Sequence, residues 1–342
     1  MAHRLTELIA RLVRREDLSR DEAEQLLESL LDAEATDAQI AAALVALAAK
    51  GETVEELTGM AAGLRARAVR VNARHPCFID TAGTGSSRAK TFNISTAAAF
   101  VIAGAGLPVA KHGNRAASSK SGSADLLTAL GVNVSAIPSV SESSLNEIGI
   151  CFMFAPLYHG ATARVAGIRR QLGIHTTFNL LGPLSNPARA PRQIIGVWRE
   201  DLAERLARVL AALGTEHAWV VHGQDGLDEI TLAGKTHVAE ARRGEVRVFE
   251  IAPRDFGFDV GALDHLRGGD TEANAAIVRA VLTGERRDEA RMLVIMNAAA
   301  ALRLGGMADN LRDGARLAAT SIDSGKALSK LERLIESTNP TP

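Results

Sequence analysis

Three segments of the chain combine residue types that could bind and neutralise phosphate. The first, residues 80–96, reads DTAGTGSSRAKTFNIST. Gly83 and Gly85 give a tight loop after an apolar run, and a helix is expected to begin near Ser95. Backbone N–H groups of such a loop, together with the helix N-terminus, converge as an anion site. Glycine is needed where the backbone must approach a phosphate closely. The pattern fits neither common nucleotide fingerprint. Lys90-Thr91 would need glycines where Ala89 and Thr84 stand, and Gly83 with Gly85 lacks the third glycine of a dinucleotide loop. Standing alone, the segment could equally be an ordinary strand-to-helix turn.

The second segment, residues 111–123, reads KHGNRAASSKSGS. Lys111, Arg115 and Lys120 sit among hydroxyl and amide donors, with no apolar residue larger than alanine. A loop this polar could be merely solvated. Its lysine, arginine and helix-capping serines make a second phosphate cradle the better reading, and its glycines and serines suit a lid that orders over ligand. The third segment holds Asp228 and Glu229, just after the run Ala218–His222. Paired carboxylates beyond a strand suit Mg²⁺, which takes one or two of them together with phosphate oxygens and water. Neighbouring strand residues point to opposite faces, so the two can share a metal cluster only from a turn. An acidic pair by itself is usually solvated surface.

The elements that must hold these segments follow from periodicity. Residues 1 to about 70 read as four short helices. Leu5, Leu8, Ile9 and Leu12 fall at helical spacing, Ser19, Thr36 and Thr53 are placed to cap helix starts, and Gly51 is placed to stop one. After Pro76 short β-branched runs alternate with Ala-rich helical stretches. The expected strands are Cys77–Asp80, Val109–Lys111, Cys151–Phe154, Gln193–Trp198 and Ala218–His222, with helices over 96–105, 124–130 and 201–213. The alternation predicts an α/β fold: a small N-terminal helical domain joined to a larger α/β domain with a mostly parallel sheet. Residues 236–251 read as an appended hairpin around Arg243-Gly244. The chain then returns to helix, with a long apolar stretch from Ala290 to Leu304, and residues 337–342 read as a loose tail.

Composition narrows the function classes. The 342 residues are 46% hydrophobic and 4% aromatic, with a net charge of −1. No global basic field draws the chain to nucleic acid or anionic membrane, and few rings are available to stack bases. The N-terminus alternates apolar and charged residues, so no signal peptide is expected, and no run is long enough to span a bilayer. A cytoplasmic protein is the expectation. Cys77 and Cys151 lie in apolar runs and read as buried free thiols.

Together these stretches resemble the anthranilate phosphoribosyltransferase family over nearly the whole chain. The resemblance rests on six ordered motifs: KGETVEEL from Lys50, TFNIST from Thr91, KHGNR from Lys111 with SSKSGS from Ser118, FAPLYH from Phe154, FNLLGPL from Phe178 and GLDEI from Gly226. It implies a helical domain, residues 1–72 joined by helices from about 160–180, hinged on an α/β domain of residues 73–336. It also implies a homodimer paired through the helical domains.

By the same resemblance the substrates are 5-phosphoribosyl-1-pyrophosphate (PRPP) and anthranilate, with two Mg²⁺ per monomer and no covalent nucleophile. The PRPP site would comprise Gly83, Gly85, Ser86, Ser87, Thr91, Asn93, Ile94, Ser95 and Thr96 from the first segment. From the second it would take Lys111, His112, Gly113, Asn114, Arg115, Ala116, Ala117, Ser118, Ser119 and Ser123. Anthranilate would meet Gly83, Asn114, Arg169, His112 and His159, and the metals would be held by Ser95, Asp228 and Glu229. Arg169 is by default a surface cation, and either histidine could equally be structural.

Two positions depart from the family pattern. Ser86-Ser87 stands where an acidic residue is usual, and Gly160 follows His159 where proline is usual. The rival readings are a pyrimidine nucleoside phosphorylase, which shares the fold and a Lys-His loop, and a catalytically silent nucleic-acid-binding relative. The Lys-His-Gly-Asn order of residues 111–114 favours the anthranilate branch over the first, and the near-zero net charge counts against the second.

Overall fold

The structure is a computed structural model and describes residues 2–85, 91–116, 121–263, 266 and 268–339. Its N-terminal part is helical: α1 (Ala2–Val13), α2 (Arg20–Leu31), α3 (Asp37–Lys50) and α4 (Val54–Arg67). Ser19, Thr36 and Thr53 each cap a helix in a reciprocal capping box, with Glu22, Gln39 and Glu56 as partners. Such boxes satisfy backbone donors that a helix start leaves unpaired. Glu56 does more than close its own box. Its buried carboxylate accepts from Leu18 N at 3.0 Å, Thr53 N at 2.9 Å and Lys50 Nζ at 2.9 Å, tying the ends of three helices together.

The chain then runs through β1 (Ile79–Gly83), α5 (Ile94–Gly104), β2 (Val109–Gly113), α6 (Ser123–Ala129), α7 (Pro138–Glu147), β3 (Ile150–Phe154) and α8 (Ala155–Tyr158). It returns to the helical part with α9 (Ala163–Leu172) and α10 (Thr177–Leu184), which pack against α2, α3 and α4. There follow β4 (Arg192–Gly196), α11 (Asp201–Ala212), β5 (His217–Gly223), β6 (Thr236–Arg242) and β7 (Glu245–Ile251). The remaining helices are α12 (Pro253–Phe256), α13 (Thr271–Leu282), α14 (Glu289–Leu304), α15 (Leu311–Asp323) and α16 (Lys326–Thr338).

Among the described residues the strands form one sheet in the order β3-β2-β1-β4-β5-β6-β7. The first five are parallel, and β6 and β7 add antiparallel as a hairpin. Arg243 and Gly244 form its turn at φ 51° and 85°, the paired positive values of a tight hairpin turn. Side chains alternate across the sheet. Ile194, Trp219, Val221 and Val238 join the core under α5 and α14, while Ile195, Ala218, Val220 and Ala239 join the core shared with α11 and the N-terminal helices.

Several boundaries differ from the pattern reading. β1 begins at Ile79 rather than Cys77, because its ladder with β2 starts where Ile79 meets Val109. Cys77 is only half-buried, unlike Cys151, and both thiols are free. The loose tail shrinks: α16 continues to a buried Thr338, and Ser337 Oγ lies 2.7 Å from Ser144 Oγ. No described helix is long and apolar enough to cross a membrane.

The strand order reverses between β1 and β4, the neighbours at the centre of the parallel region. In open α/β sheets a crevice forms outside the carboxyl ends of the strands at such a switch point. The three chemistry-bearing segments leave β1, β2 and β5 at this edge.

Candidate active site

A cleft of about 520 Å³ lies at that edge, lined on one side by the loops after β1, β2 and β5 and on the other by α9, α10 and the turn between them. Its floor depends on glycines at strand ends. A Cβ on Gly196 would lie 1.6 Å from the backbone oxygen of Asp228, so only glycine lets the acidic turn fold across the end of β4. A Cβ on Gly113 would lie 2.2 Å from Ser123 Oγ, so the start of α6 closes over the end of β2 for the same reason.

The first loop is anchored to this floor. Thr84 donates to the Gly196 carbonyl from its backbone N at 2.9 Å and from Oγ1 at 3.1 Å. Gly85 has φ 67°, in the left-handed region. At the far end of the loop α5 begins at Ile94, one residue before the expected start, with Asn93 at its cap position. The Asn93 side chain donates to Ser121 O at 3.2 Å and accepts from Asn274 at 3.3 Å, joining the first loop to the second. Thr91, Asn93, Ser95 and Thr96 line the cleft, whereas Ile94 points into the core. Ser86 and Ser87 lie outside the described residues.

The second loop is held by a residue that the pattern reading passed over. Asp125, in the first turn of α6, accepts from Ala116 N at 2.9 Å, Gly122 N at 3.0 Å and Arg115 Nη1 at 2.8 Å. Arg115 is therefore ion-paired, and it also lies over the Phe154 ring at 5.7 Å. His112, Gly113, Asn114, Ala116 and Ser123 line the cleft as well. Ala117, Ser118 and Ser119, and with them most of the expected lid, lie outside the described residues. Lys111 lines the cleft but is buried, and its Nζ donates to Thr81 O and, at 3.4 Å, to Thr81 Oγ1. Burial lowers its pKa, and the charges of Asp80 and Glu229 oppose that fall.

Asp228 and Glu229 occupy the bend that a shared metal site requires. The bend is fixed from behind by Asn297 of α14, which accepts from Ile230 N at 3.0 Å and donates to Ile230 O at 3.0 Å. Glu229 Oε1 accepts from Ser95 N at 3.1 Å, placing the third expected metal ligand beside the pair. Desolvation and the charge of Asp228 push the Glu229 carboxyl up to about 8, against the pull of Lys111 and Ser95. Desolvation and the repulsion between the two close carboxylates outweigh the pull of Lys111 on Glu229. With the hydroxyl of Ser95 the two carboxylates form an all-oxygen donor set suited to a hard divalent cation.

The opposite wall supplies Arg169, from the last turn of α9, and Phe178 with Asn179 from α10. Arg169 Nη2 donates to Asn179 Oδ1 at 3.0 Å, its guanidinium lies over the Phe178 ring at 5.7 Å, and its Nε is buried without a hydrogen-bond partner. Desolvation lowers its pKa. It is a poorly hydrated cation facing a cleft and not the surface arginine that its sequence context suggests by default.

His112 lines the cleft between the walls, and His159 packs behind it with ring centroids 5.2 Å apart. Burial lowers the two to about 3 and about 4, so both are neutral near pH 7. His112 Nδ1 faces Gly182 O at 3.2 Å, which leaves its buried Nε2 without a partner. Beneath them lies a second unread feature. Asp80 is fully buried, accepting from His112 N at 3.1 Å and from Asn186 Nδ2 at 2.7 Å, and burial pushes it up to about 6. The only sequence signal for Asp80, Asp125 and Asn179 was position: each sits within or beside a motif whose neighbours carry the chemistry.

Comparison with known proteins agrees with this geometry. The glycosyl transferase family a/b domain matches residues 75–328, and the helical bundle domain of the glycosyl transferase family matches residues 6–68. The anthranilate phosphoribosyltransferase of Paramagnetospirillum magneticum is 50% identical over 337 residues, covering 98% of this chain and 97% of that protein. The Anaeromyxobacter dehalogenans enzyme is 53% identical over 330 residues, covering 96% and 97%. Among solved structures, the Thermus thermophilus anthranilate phosphoribosyltransferase superposes with a TM-score of 0.90 at 37% identity, over 96% of this chain and 98% of that one. The Saccharomyces cerevisiae enzyme in complex with PRPP and Mg gives 0.89 at 29% identity, over 98% and 97%. With both domains matched in order and relatives about half identical over almost their full length, this chain belongs to the anthranilate phosphoribosyltransferase family.

Proposed function

We propose that this chain transfers the 5-phosphoribosyl group from PRPP to anthranilate, the reaction of its family in tryptophan biosynthesis, with the two walls of the cleft dividing the work. The observation that carries this reading is the pairing of an oxygen-rich acidic turn on one wall with a desolvated arginine on the other.

On the donor wall, Ser95, Asp228 and Glu229 would hold Mg²⁺, with two ions per monomer. When bound, the metal supplies charge neutralisation for the departing pyrophosphate. Loop donors at residues 83–85, 91–96 and 111–116 bind the phosphates and fix the ribose. The backbone N–H groups of such loops act without reorganising, which is where preorganised sites gain most. The serines at 86, 87, 118 and 119 would complete the cradle.

On the acceptor wall, Arg169 takes the anthranilate carboxylate, a match of planar fork to carboxylate. Phe178 offers a face to the ring, and neutral His112 gives the amine an unprotonated neighbour. The amine nitrogen attacks C1 as the C1–O bond to pyrophosphate breaks, and the surplus amine proton passes to water. No covalent enzyme intermediate is needed, since the nucleophile is the substrate's own amine. Holding both substrates in line is worth roughly 7–11 kcal/mol of the barrier.

The domain division at residues 1–72 and 73–336, with 160–180 joining the first, gives the cleft its two walls. Pairing of two copies through the helical domains and a cytoplasmic setting complete the proposal. The test is loss of anthranilate fluorescence with purified protein, PRPP and Mg²⁺, repeated without PRPP and with EDTA. Consumption that needs both is the expected result. Consumption indifferent to EDTA would remove the metal from the account, and none at all would remove anthranilate.

A further inference from the structure

The turn between α9 and α10 carries a contact that the division of labour above does not use. His175 stands in this turn and lines the cleft, and its imidazole stacks on the indole of Trp198 with centroids 4.7 Å apart and planes 28° apart. His175 belongs to the acceptor wall, whereas Trp198 lies outside the cleft lining, just beyond the end of β4. His175 follows the Gly173 cap of α9 by two residues and precedes Thr176, the N-cap of α10. Trp198 follows Gly196, the strand end on which both Thr84 and the acidic turn rest. Offset stacking of this kind fixes both separation and tilt.

The seam around the stack is joined by separate contacts. Thr177 Oγ1 donates to Glu52 Oε1 at 2.6 Å, and Glu52 helps to raise the pKa of Arg199, beside Trp198, after the larger effect of its bond with Asp201. Trp198 also packs on the core shared with the N-terminal helices. On the arginine side, Asn179 Oδ1 accepts both Thr176 N at 3.0 Å and Arg169 Nη2 at 3.0 Å. A short rigid path therefore runs from Trp198 through His175, Thr176 and Asn179 to Arg169.

We propose that the His175–Trp198 stack is a positioning contact that sets Arg169 at its working distance from the donor wall. It acts on the acceptor through Arg169, so His175 is a positioning residue and not a catalytic one. The inference rests on the phosphoribosyl-transfer reading, and the stack itself is testable without turnover.

Four variants provide the test: His175→Ala, Trp198→Ala, the two combined, and His175→Phe, which keeps a flat ring. With anthranilate and PRPP varied separately, either alanine variant is expected to raise the anthranilate KM about tenfold while the PRPP KM stays within about twofold. The double variant should be no worse than the singles, as for residues acting through one contact. His175→Phe should restore most of the loss. Single-variant constants within about twofold of the parent, or losses that multiply in the double variant, would overturn the proposal.

The chain has two tryptophans, Trp198 and Trp219. His175→Ala should therefore change tryptophan emission in the parent and leave it unchanged in a Trp198→Phe background. An unchanged parent emission would show that the stack does not form, and a melting temperature close to the parent's excludes simple unfolding. If the emission result holds while the parent leaves anthranilate unconsumed, the transfer reading falls and the stack stands only as a structural contact.

Discussion

The donor wall of the cleft is made of strand ends and the loops that leave them, whereas the acceptor wall is made of side chains on two helices and the turn between them. On the donor wall the glycines at 83, 113 and 196 let backbone groups and short side chains crowd over the sheet edge, and the chain segments involved are contiguous. On the acceptor wall Arg169, His175, Phe178 and Asn179 are aimed from one face: Asn179 and Phe178 hold Arg169, and Trp198, outside the wall, holds His175. Phosphate and metal are recognised by many interchangeable donors, so losing one weakens the site. A small aromatic acid offers few handles, so losing one handle removes much of its orientation.

The comparison is broken most severely by removing the metal-binding turn. Asp228→Ala combined with Glu229→Ala should lower kcat by on the order of 10²–10³ or more, measured by anthranilate fluorescence at saturating substrates. Full turnover in that variant would detach the acidic turn from the chemistry. Smaller and confined to the other wall, Asn179→Ala frees Arg169 and uncaps α10. The anthranilate KM should rise about tenfold with the PRPP KM nearly unchanged.

Both walls stand on the buried Asp80, so Asn186→Ala sharpens the comparison by affecting stability before selectivity. It leaves Asp80 without its 2.7 Å donor and should cost about 1–3 kcal/mol in urea denaturation. A change confined to one substrate's KM would contradict a shared foundation.

The smallest effect lies at the opposite end of β5, away from the cleft. Glu240 accepts from His217 Nε2 at 2.7 Å, Trp219 Nε1 at 2.9 Å and Arg247 Nε. Burial alone would raise its pKa, and these bonds bring it down to about 2 from the ordinary 4.5. A lowered folded value means the stabilisation is complete above about pH 4.5 and is lost as pH falls toward 2. The melting temperature of Glu240→Gln should therefore lie below the parent's near pH 6 and converge with it near pH 2, with both KM values unchanged at neutral pH.

How much could be read in advance follows the same division. The donor wall was legible because a phosphate loop announces itself within a dozen residues, and the capped helices at Ser19, Thr36 and Thr53 announce themselves within four. Arg169 became a site residue only through family resemblance, since nothing in its helix distinguishes it from Arg170. His175 and Trp198 meet across 23 positions and Asp80 and Asn186 across 106, separations that no local pattern encodes. The polar helix α7, PSVSESSLNE, lacked an apolar stripe to reveal it, and buries only Ser141, Ser144 and Leu145. Strand ends shifted by one to three residues because register is set by the partner strand and not by composition.

The separation of the two walls is tested most directly by Arg169→Ala, with both substrates varied in one steady-state experiment. The account predicts a loss of about 30- to 100-fold in kcat/KM for anthranilate, with the PRPP KM within about twofold of the parent. A PRPP KM that rises in step with that of anthranilate would contradict it, placing the arginine in a site that does not divide by substrate.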